Sequence, residues 1–322
     1  MKVVAARPAG NATLLLAATV VVWGCTGRVI AVGAPHSEPI TLTMMRAVPA
    51  AVLLLAALPF LRCHLPRRSD LWFWTAVSGL LMVTLFLAGF TEGVVRAGPG
   101  NAIVLASTTP FFVVILGWFV AGERIAWQGF AGLVIGFVGV VLVVSTQLGG
   151  DQDGRDLAIG MACALAAAIG WAVGTFVIKE LVVRHPDVDL IGVTAGQYVV
   201  GGVALLVLAS TFEDLGATEW SSGELWVSVA FVSIVGCALA TIAYFFALRA
   251  MSATTATAWS FLSPVVAVLL EIVLGHAPRA IVLLGMVITI AGVAIVNTAP
   301  QRPSVVSRSE RRRRRGSIPR PA

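Results

Sequence analysis

Charge is what this sequence has least of. Asp, Glu, Lys and Arg together make up 12% of its 322 residues, against about 25% in a typical soluble domain. That is too little to wet the surface of a folded chain this long. Hydrophobic residues account for 58% and the mean hydropathy is +0.93. The apolar residues fall in long continuous runs instead of alternating, which excludes a soluble globular domain and a β-barrel and leaves helices in lipid. Cysteine is also scarce. Cys25, Cys163 and Cys237 lie inside apolar runs and Cys63 in a basic loop, so there is neither a disulfide framework nor a C-x-x-C pair. The four histidines, His36, His64, His185 and His276, sit in loops or at span ends without clustering; no metal and no cofactor are expected. H-E-x-x-H, G-x-S-x-G and P-loop motifs are missing, which argues against hydrolytic chemistry and direct ATP drive. Asp151-Gln152-Asp153-Gly154-Arg155-Asp156 resembles the start of a calcium loop, but its glycine is misplaced and Ala162 stands where a bidentate Glu belongs. No nucleic-acid partner is expected.

What is there divides into ten apolar segments. A helix crossing the hydrocarbon core needs about 20 mostly apolar residues. On that measure spans fall near 12–33, 40–61, 71–91, 101–122, 126–146, 157–179, 190–211, 225–248, 254–275 and 279–298. Between them lies turn chemistry such as Gly98-Pro99-Gly100, Gly149-Gly150-Asp151 and His185-Pro186-Asp187. Lys2 and Arg7 before Leu14 to Val22 resemble a secretory signal, but nine further apolar segments follow, so this stretch reads as the first span.

Orientation follows from the basic residues. With the N-terminus inside, Lys2, Arg7, Arg62, Arg67, Arg68, Arg124, Lys179, Arg184, Arg249 and the arginines of the tail all face the cytoplasm, while the loop holding Glu213, Asp214, Glu219 and Glu224 faces out. The chain therefore reads as a multi-pass plasma-membrane protein with both termini cytoplasmic. Residues 1–11 form a short cytoplasmic N-terminus. The tail, 299–322, is too basic and proline-rich to fold alone, and Arg311 to Arg315 are either an anionic-lipid contact or a solvated topology anchor.

The sequence also repeats itself. Gly132-x6-Gly139 returns as Gly285-x6-Gly292 and Arg96-Ala97 as Arg249-Ala250, both at an offset of 153. Thr109-Pro110 returns as Ser263-Pro264 at 154, and Trp23 as Trp171 at 148. Two five-span units are implied, 12–146 and 157–298. Because five is odd, the second unit enters from the opposite side. The expected fold class is thus an all-α integral membrane protein of ten helices in two inverted repeats, a geometry that lets halves open alternately to either face around a central site.

These marks resemble the drug/metabolite transporter superfamily, specifically its ten-span members built from two EamA domains. They are Trp23-Gly24, Arg46, Arg96-Ala97-Gly98-Pro99, Pro110, Gly122-Glu123-Arg124 and Gly132, Gly136 and Gly139, then Arg249-Ala250, Ser263-Pro264 and Gly275. The likeness covers roughly residues 12–298. It implies secondary transport of small metabolites, often export, without a bound cofactor. Two departures stand out: Gly275 is followed by His276 where the first half has Glu123, and Trp171 is followed by Ala172.

Several residues are candidates for the chemistry. Pro110 and Pro264 fall mid-span, where each removes a backbone donor and frees a carbonyl; Thr108, Thr109 and Ser263 are at hand to satisfy it. They read either as moving kinks that line a cavity or as fixed packing kinks. Arg46 is a costly intramembrane charge, placed to meet an anionic substrate group, to pair with Glu271, or to snorkel. Gln197 holds the corresponding place in the second half. Glu271 is a candidate proton-coupling carboxylate or an ion-pair residue. Trp23, Trp171 and Trp259 read as an aromatic wall for a solute or as packing. Gly132, Gly136 and Gly139 read as a close helix crossing. The expected partners are a small-molecule substrate, amino acid-like or drug-like, and the bilayer; a monomer is favoured. Two rival functions remain: a non-transporting partner or sensor subunit, and an intramembrane enzyme on a lipid-linked substrate.

Overall fold

The computed structural model describes residues 9–121, 125–147 and 154–300. The N-terminal Lys2 and Arg7, the Gly122-Glu123-Arg124 motif, the Gly149-Gly150-Asp151 turn, and the tail with Arg311 to Arg315 lie outside the described residues. Those described are helical, with no strand among them. Among the described residues, ten helices are long and apolar enough to cross a membrane. We number them α1 (Ala9–Gly33), α2 (Pro39–Leu61), α3 (Ser69–Ala97), α4 (Gly100–Phe119), α5 (Trp127–Val144), α6 (Gly154–Arg184), α7 (Leu190–Phe212), α8 (Gly223–Ala250), α9 (Ala253–Val273) and α10 (Ala280–Thr298).

Local chemistry sets the ends. Asp189 accepts from the Ile191 and Gly192 amides, Ser222 from Leu225 and Ser252 from Thr255, capping α7, α8 and α9. Gly98, at a φ of 85°, lets the chain turn in one residue between α3 and Pro99. α6 runs 31 residues, about 46 Å at 1.5 Å per residue. It therefore overshoots a hydrocarbon core of about 30 Å, and its charged ends, Arg155 and Asp156 at one and Glu180 and Arg184 at the other, emerge into water. Inside the bundle, the Thr43, Thr75, Thr91, Thr194 and Thr289 hydroxyls each donate to the carbonyl four residues earlier, satisfying themselves where lipid offers no partner.

Helix packing follows a rule across the two halves. α1 packs on α8 and α9, and α6 packs on α3 and α4; α2 packs on α7; α5 packs on α10. Replacing each helix by the one five places along turns this set of contacts into itself. The α5–α10 crossing is glycine on glycine: a Cβ built on Gly292 would lie 2.3 Å from the Gly136 nitrogen and 2.4 Å from its Cα. Helix irregularities repeat as well. A π-helical stretch interrupts α3 at Leu80–Leu85 and α8 at Val232–Leu239. α4 breaks at Ser107 and Thr108 just before Pro110, and α9 tightens into a 3-10 turn at Trp259–Phe261 just before Pro264. Large apolar side chains such as Trp118, Phe119, Trp127, Val273 and Val287 remain exposed on the outside, as a lipid-facing surface requires.

The loops distinguish two faces. Glu38, Glu213, Glu219 and Glu224 gather on one, which we call the acidic face; Arg62, Arg67, Arg68, Arg184 and Arg249 lie at the other ends of the same helices, the basic face.

Candidate functional site

Four aromatic rings from four helices meet within the bundle. Trp23 of α1 stands edge-on to Trp171 of α6 at 5.3 Å, Phe86 of α3 lies 4.5 Å from Trp171, and Tyr244 of α8 is 5.5 Å from each tryptophan. Such pairs contribute about 0.5–1.5 kcal/mol each beyond area burial. The polar edges are placed too: Trp23 Nε1 donates to the Gly236 carbonyl at 3.2 Å, and the Tyr244 hydroxyl lies 3.4 Å from the Thr175 hydroxyl. The π-helical stretch of α8 supplies the first of these partners, the Gly236 carbonyl. Within that stretch Gly236 O accepts from Trp23, and Cys237 O accepts from the Tyr198 hydroxyl at 3.1 Å as well as from the Ala240 amide.

The two proline breaks flank this cluster with unequal chemistry. Pro110 cannot donate to the Ala106 carbonyl, and the Thr109 hydroxyl does so instead at 2.7 Å; it also reaches the Ala168 carbonyl of α6 at 3.3 Å. Thr108 turns back to Leu105 O. In α9 the equivalent Ser263 Oγ is buried with no hydrogen-bond partner, while α1 approaches so closely that a Cβ on Gly24 would meet the Ser263 carbonyl at 2.8 Å. The second break is therefore less internally satisfied than the first. Trp259 does not join the four rings by ring contact; its Nε1 donates to Asn297 Oδ1 of α10 at 3.1 Å.

Arg46 and Gln197 occupy matching depths from opposite faces but different surroundings. Gln197 Nε2 donates to Ser78 Oγ at 2.7 Å, on the basic-face side of the α3–α7 contact. Arg46 is 3% exposed, a charge of a kind that costs about 2.5–3.5 kcal/mol at a helix centre. Its Nη2 donates to the Thr43 hydroxyl at 3.2 Å and the Thr91 hydroxyl at 2.9 Å, its Nε has no partner, and no carboxylate lies within ion-pair distance among the described residues. It neither snorkels nor pairs with Glu271. Glu271 instead meets Arg28 at 3.4 Å and His276 at 3.1 Å, on the acidic-face side of α1 and α9. That half-exposed triad ties α1 to α9.

A pocket of about 530 Å³ opens on the acidic face, lined by Glu38, Pro39, Ile40, Glu92, Val95, Arg96, Asp156, Phe212 and Glu213. It lies between the ends of α2, α3, α6 and α7, not at the level of the four rings. Arg96 binds Glu92 and Asp156 at 2.8 and 2.9 Å, and Glu213 caps α2 by accepting from the Ile40 and Thr41 amides. Beside it, His36 places Nδ1 2.6 Å from Glu219 and Nε2 3.2 Å from Glu224. The same two loops are joined by the Glu219 amide donating to His36 O and by the Asp214 amide donating to Glu38.

Reasoning from sequence missed Tyr244, Tyr198, Phe86, Thr43 and Thr91. A signal for the tyrosines was available. The chain has two in all, both deep in apolar runs and not at the membrane interfaces that tyrosine prefers.

Comparison with known proteins gives these features a context. Residues 10–145 and 158–298 match the EamA-like transporter family. The chain is 30% identical over 295 residues to the uncharacterized transporter YvbV of Bacillus subtilis (strain 168), covering 90% of this chain and 93% of that protein. It is 28% identical over 288 residues to a probable terminal-alkyne amino-acid exporter of Streptantibioticus cattleyicolor, covering 89% and 93%. A crystal structure of a protein at 21% identity superposes with a TM-score of 0.74 over 89% of this chain and 96% of its own, so the fold is shared. With both halves matched, this multi-pass membrane protein belongs to the EamA-like transporter family.

Proposed function

We propose that this protein is a secondary transporter that exports a small organic solute, amino acid-like or drug-like, across the plasma membrane by alternating access. The observation that carries the reading is the exchange of packing partners and helix irregularities between the halves. Each has a π-helical third span and a proline-broken fourth span, and the breaks flank one shared cluster of rings. Ten crossings shared equally between two five-helix units thread those units oppositely, so each half is able to take the shape of the other and the bundle to open toward either face. The excess of Lys and Arg on the basic face supports a cytoplasmic position for it, with the acidic face and its pocket external. The amino-acid exporter among its relatives supports an exported, amino acid-like solute.

The test is counterflow in proteoliposomes containing the purified full-length chain, loaded in turn with amino acids, sugars, nucleosides and organic cations. At least one labelled solute should exchange well above empty vesicles. Pro110→Ala and Pro264→Ala should each cut that flux about tenfold while leaving the melting temperature within a few degrees. A screen with no flux above empty vesicles would overturn the reading.

A further inference from the structure

Arg46 stands out because nothing nearby neutralises its charge. Thr43 and Thr91 accept from Nη2, but their own hydrogens are engaged by the Pro39 and Leu87 carbonyls. Two neutral hydroxyls solvate one nitrogen without neutralising the ion, and Nε is left unpartnered. The nearest acid in sequence to this cluster, Glu92, is bound to Arg96. Glu38 and Glu213 accept from backbone amides at the acidic face.

The pocket lies on the acidic-face side of this guanidinium, which is not part of its lining. Pro39 and Glu92 both line it; Pro39 O accepts from Thr43, and Glu92 adjoins Thr91 in α3, so the two residues that hold Arg46 are linked directly to the pocket wall. Arg46 is seven residues along α2 from Pro39, about 10 Å deeper at 1.5 Å per residue. The rim above is acidic, carrying Glu38, Glu92, Asp156 and Glu213 against Arg96 alone. A planar guanidinium with free N–H groups recognises a carboxylate, and an acidic rim favours an ammonium group and repels a second anion.

Resting on the transporter reading, we propose that Arg46 is the carboxylate-binding residue of the solute site. The solute leaves through the acidic-face pocket and is a zwitterion of amino-acid type, its carboxylate on Arg46 and its ammonium toward the Glu38 and Glu92 side, in preference to dicarboxylates, phosphates or plain cations.

Matched triplets test this on the intact chain: the free acid, carboxamide and decarboxylated amine built on alanine, leucine, threonine and phenylalanine, scored by thermal stabilisation and by counterflow. In the wild type, the free acid of at least one triplet should bind and move, and its amide and amine should be at least about tenfold weaker, the loss expected when a charge-assisted contact is removed. Arg46→Gln should weaken the acid by a similar factor and Arg46→Lys by less. Should Arg46→Gln fail to fold, the triplets in the wild type still decide. Amide or amine equal to acid, undiminished acid binding in Arg46→Gln, or transport confined to solutes without a carboxylate overturns the site but leaves transport standing. Absence of flux for every solute class overturns the transporter reading, and the site with it.

Discussion

Replacing Gly292 with alanine puts a methyl group where α5 and α10 touch backbone to backbone. The new Cβ would lie 2.3 Å from the Gly136 nitrogen, 2.4 Å from its Cα and 2.8 Å from the Gly132 carbonyl, where ordinary contact begins at 3.4 Å. No flexible side chain is available to yield, so the helices must part by about 1 Å, and a gap of that size forfeits a quarter to a half of the dispersion energy of each contact it opens. Overpacking of this kind costs about 1–3 kcal/mol. Alanine returns about 0.8–1.0 kcal/mol in helix propensity, leaving a net loss of up to about 2 kcal/mol. Gly27 is the control: it sits in α1, and a methyl group there would have nothing within 4 Å of it, so Gly27→Ala should be neutral or stabilising by up to about 1 kcal/mol. Unfolding of purified protein in mixed micelles, followed by tryptophan fluorescence, should give opposite signs for the two variants. A Gly292→Ala protein as stable as the wild type would refute the claim that this crossing is held by backbone contact.

Other consequences are as direct. Both ring nitrogens of His36 face carboxylate oxygens, so the contact needs a doubly protonated ring. The carboxylates of Glu219 and Glu224 raise the His36 ring above its ordinary range, so the acidic-face loops should hold together best at lower pH and loosen as pH rises through that raised value, and His36→Gln should flatten the dependence of melting temperature on pH above about 6.5. Gln197→Leu removes the 2.7 Å bond to Ser78 Oγ, which keeps its own bond to the Thr75 carbonyl, and should cost about 0.5–1.5 kcal/mol, read in the same micelle assay. Trp23→Ala removes a ring that touches two others and the bond to Gly236 O; solute flux should fall at least about tenfold, and a flux equal to wild type would separate the aromatic cluster from transport.

How much of this is legible in the sequence depends on what each feature is made of. Hydropathy predicts α2 at 40–61 and α7 at 190–211, and they run Pro39–Leu61 and Leu190–Phe212, because apolar character alone fixes where a chain enters and leaves lipid. For α6 it predicts an end at 179, but the helix continues to Arg184, since a helix need not end where the membrane does. The glycine crossing and the proline breaks are visible as repeated residues. The π-helical stretches are not: they carry no composition of their own, and the one in α3 begins beside the tight approach of α7, where a Cβ on Gly79 would meet the Gln197 carbonyl at 2.7 Å. Depth along a helix is readable from sequence; direction around it is not. That is why Arg46, at a depth compatible with Glu271, turns to Thr43 and Thr91, and why Glu271 finds Arg28.

Alternating access in this fold requires the two five-helix units to be threaded in opposite senses, and side-specific labelling reads that directly. In a chain whose four cysteines have been replaced, Arg67→Cys lies between α2 and α3, and Ser221→Cys lies between α7 and α8, at equivalent places in the two halves. A membrane-impermeant maleimide applied to intact cells should modify Ser221→Cys at once and Arg67→Cys only after the membrane is opened. Labelling of both from the same side would contradict opposite threading.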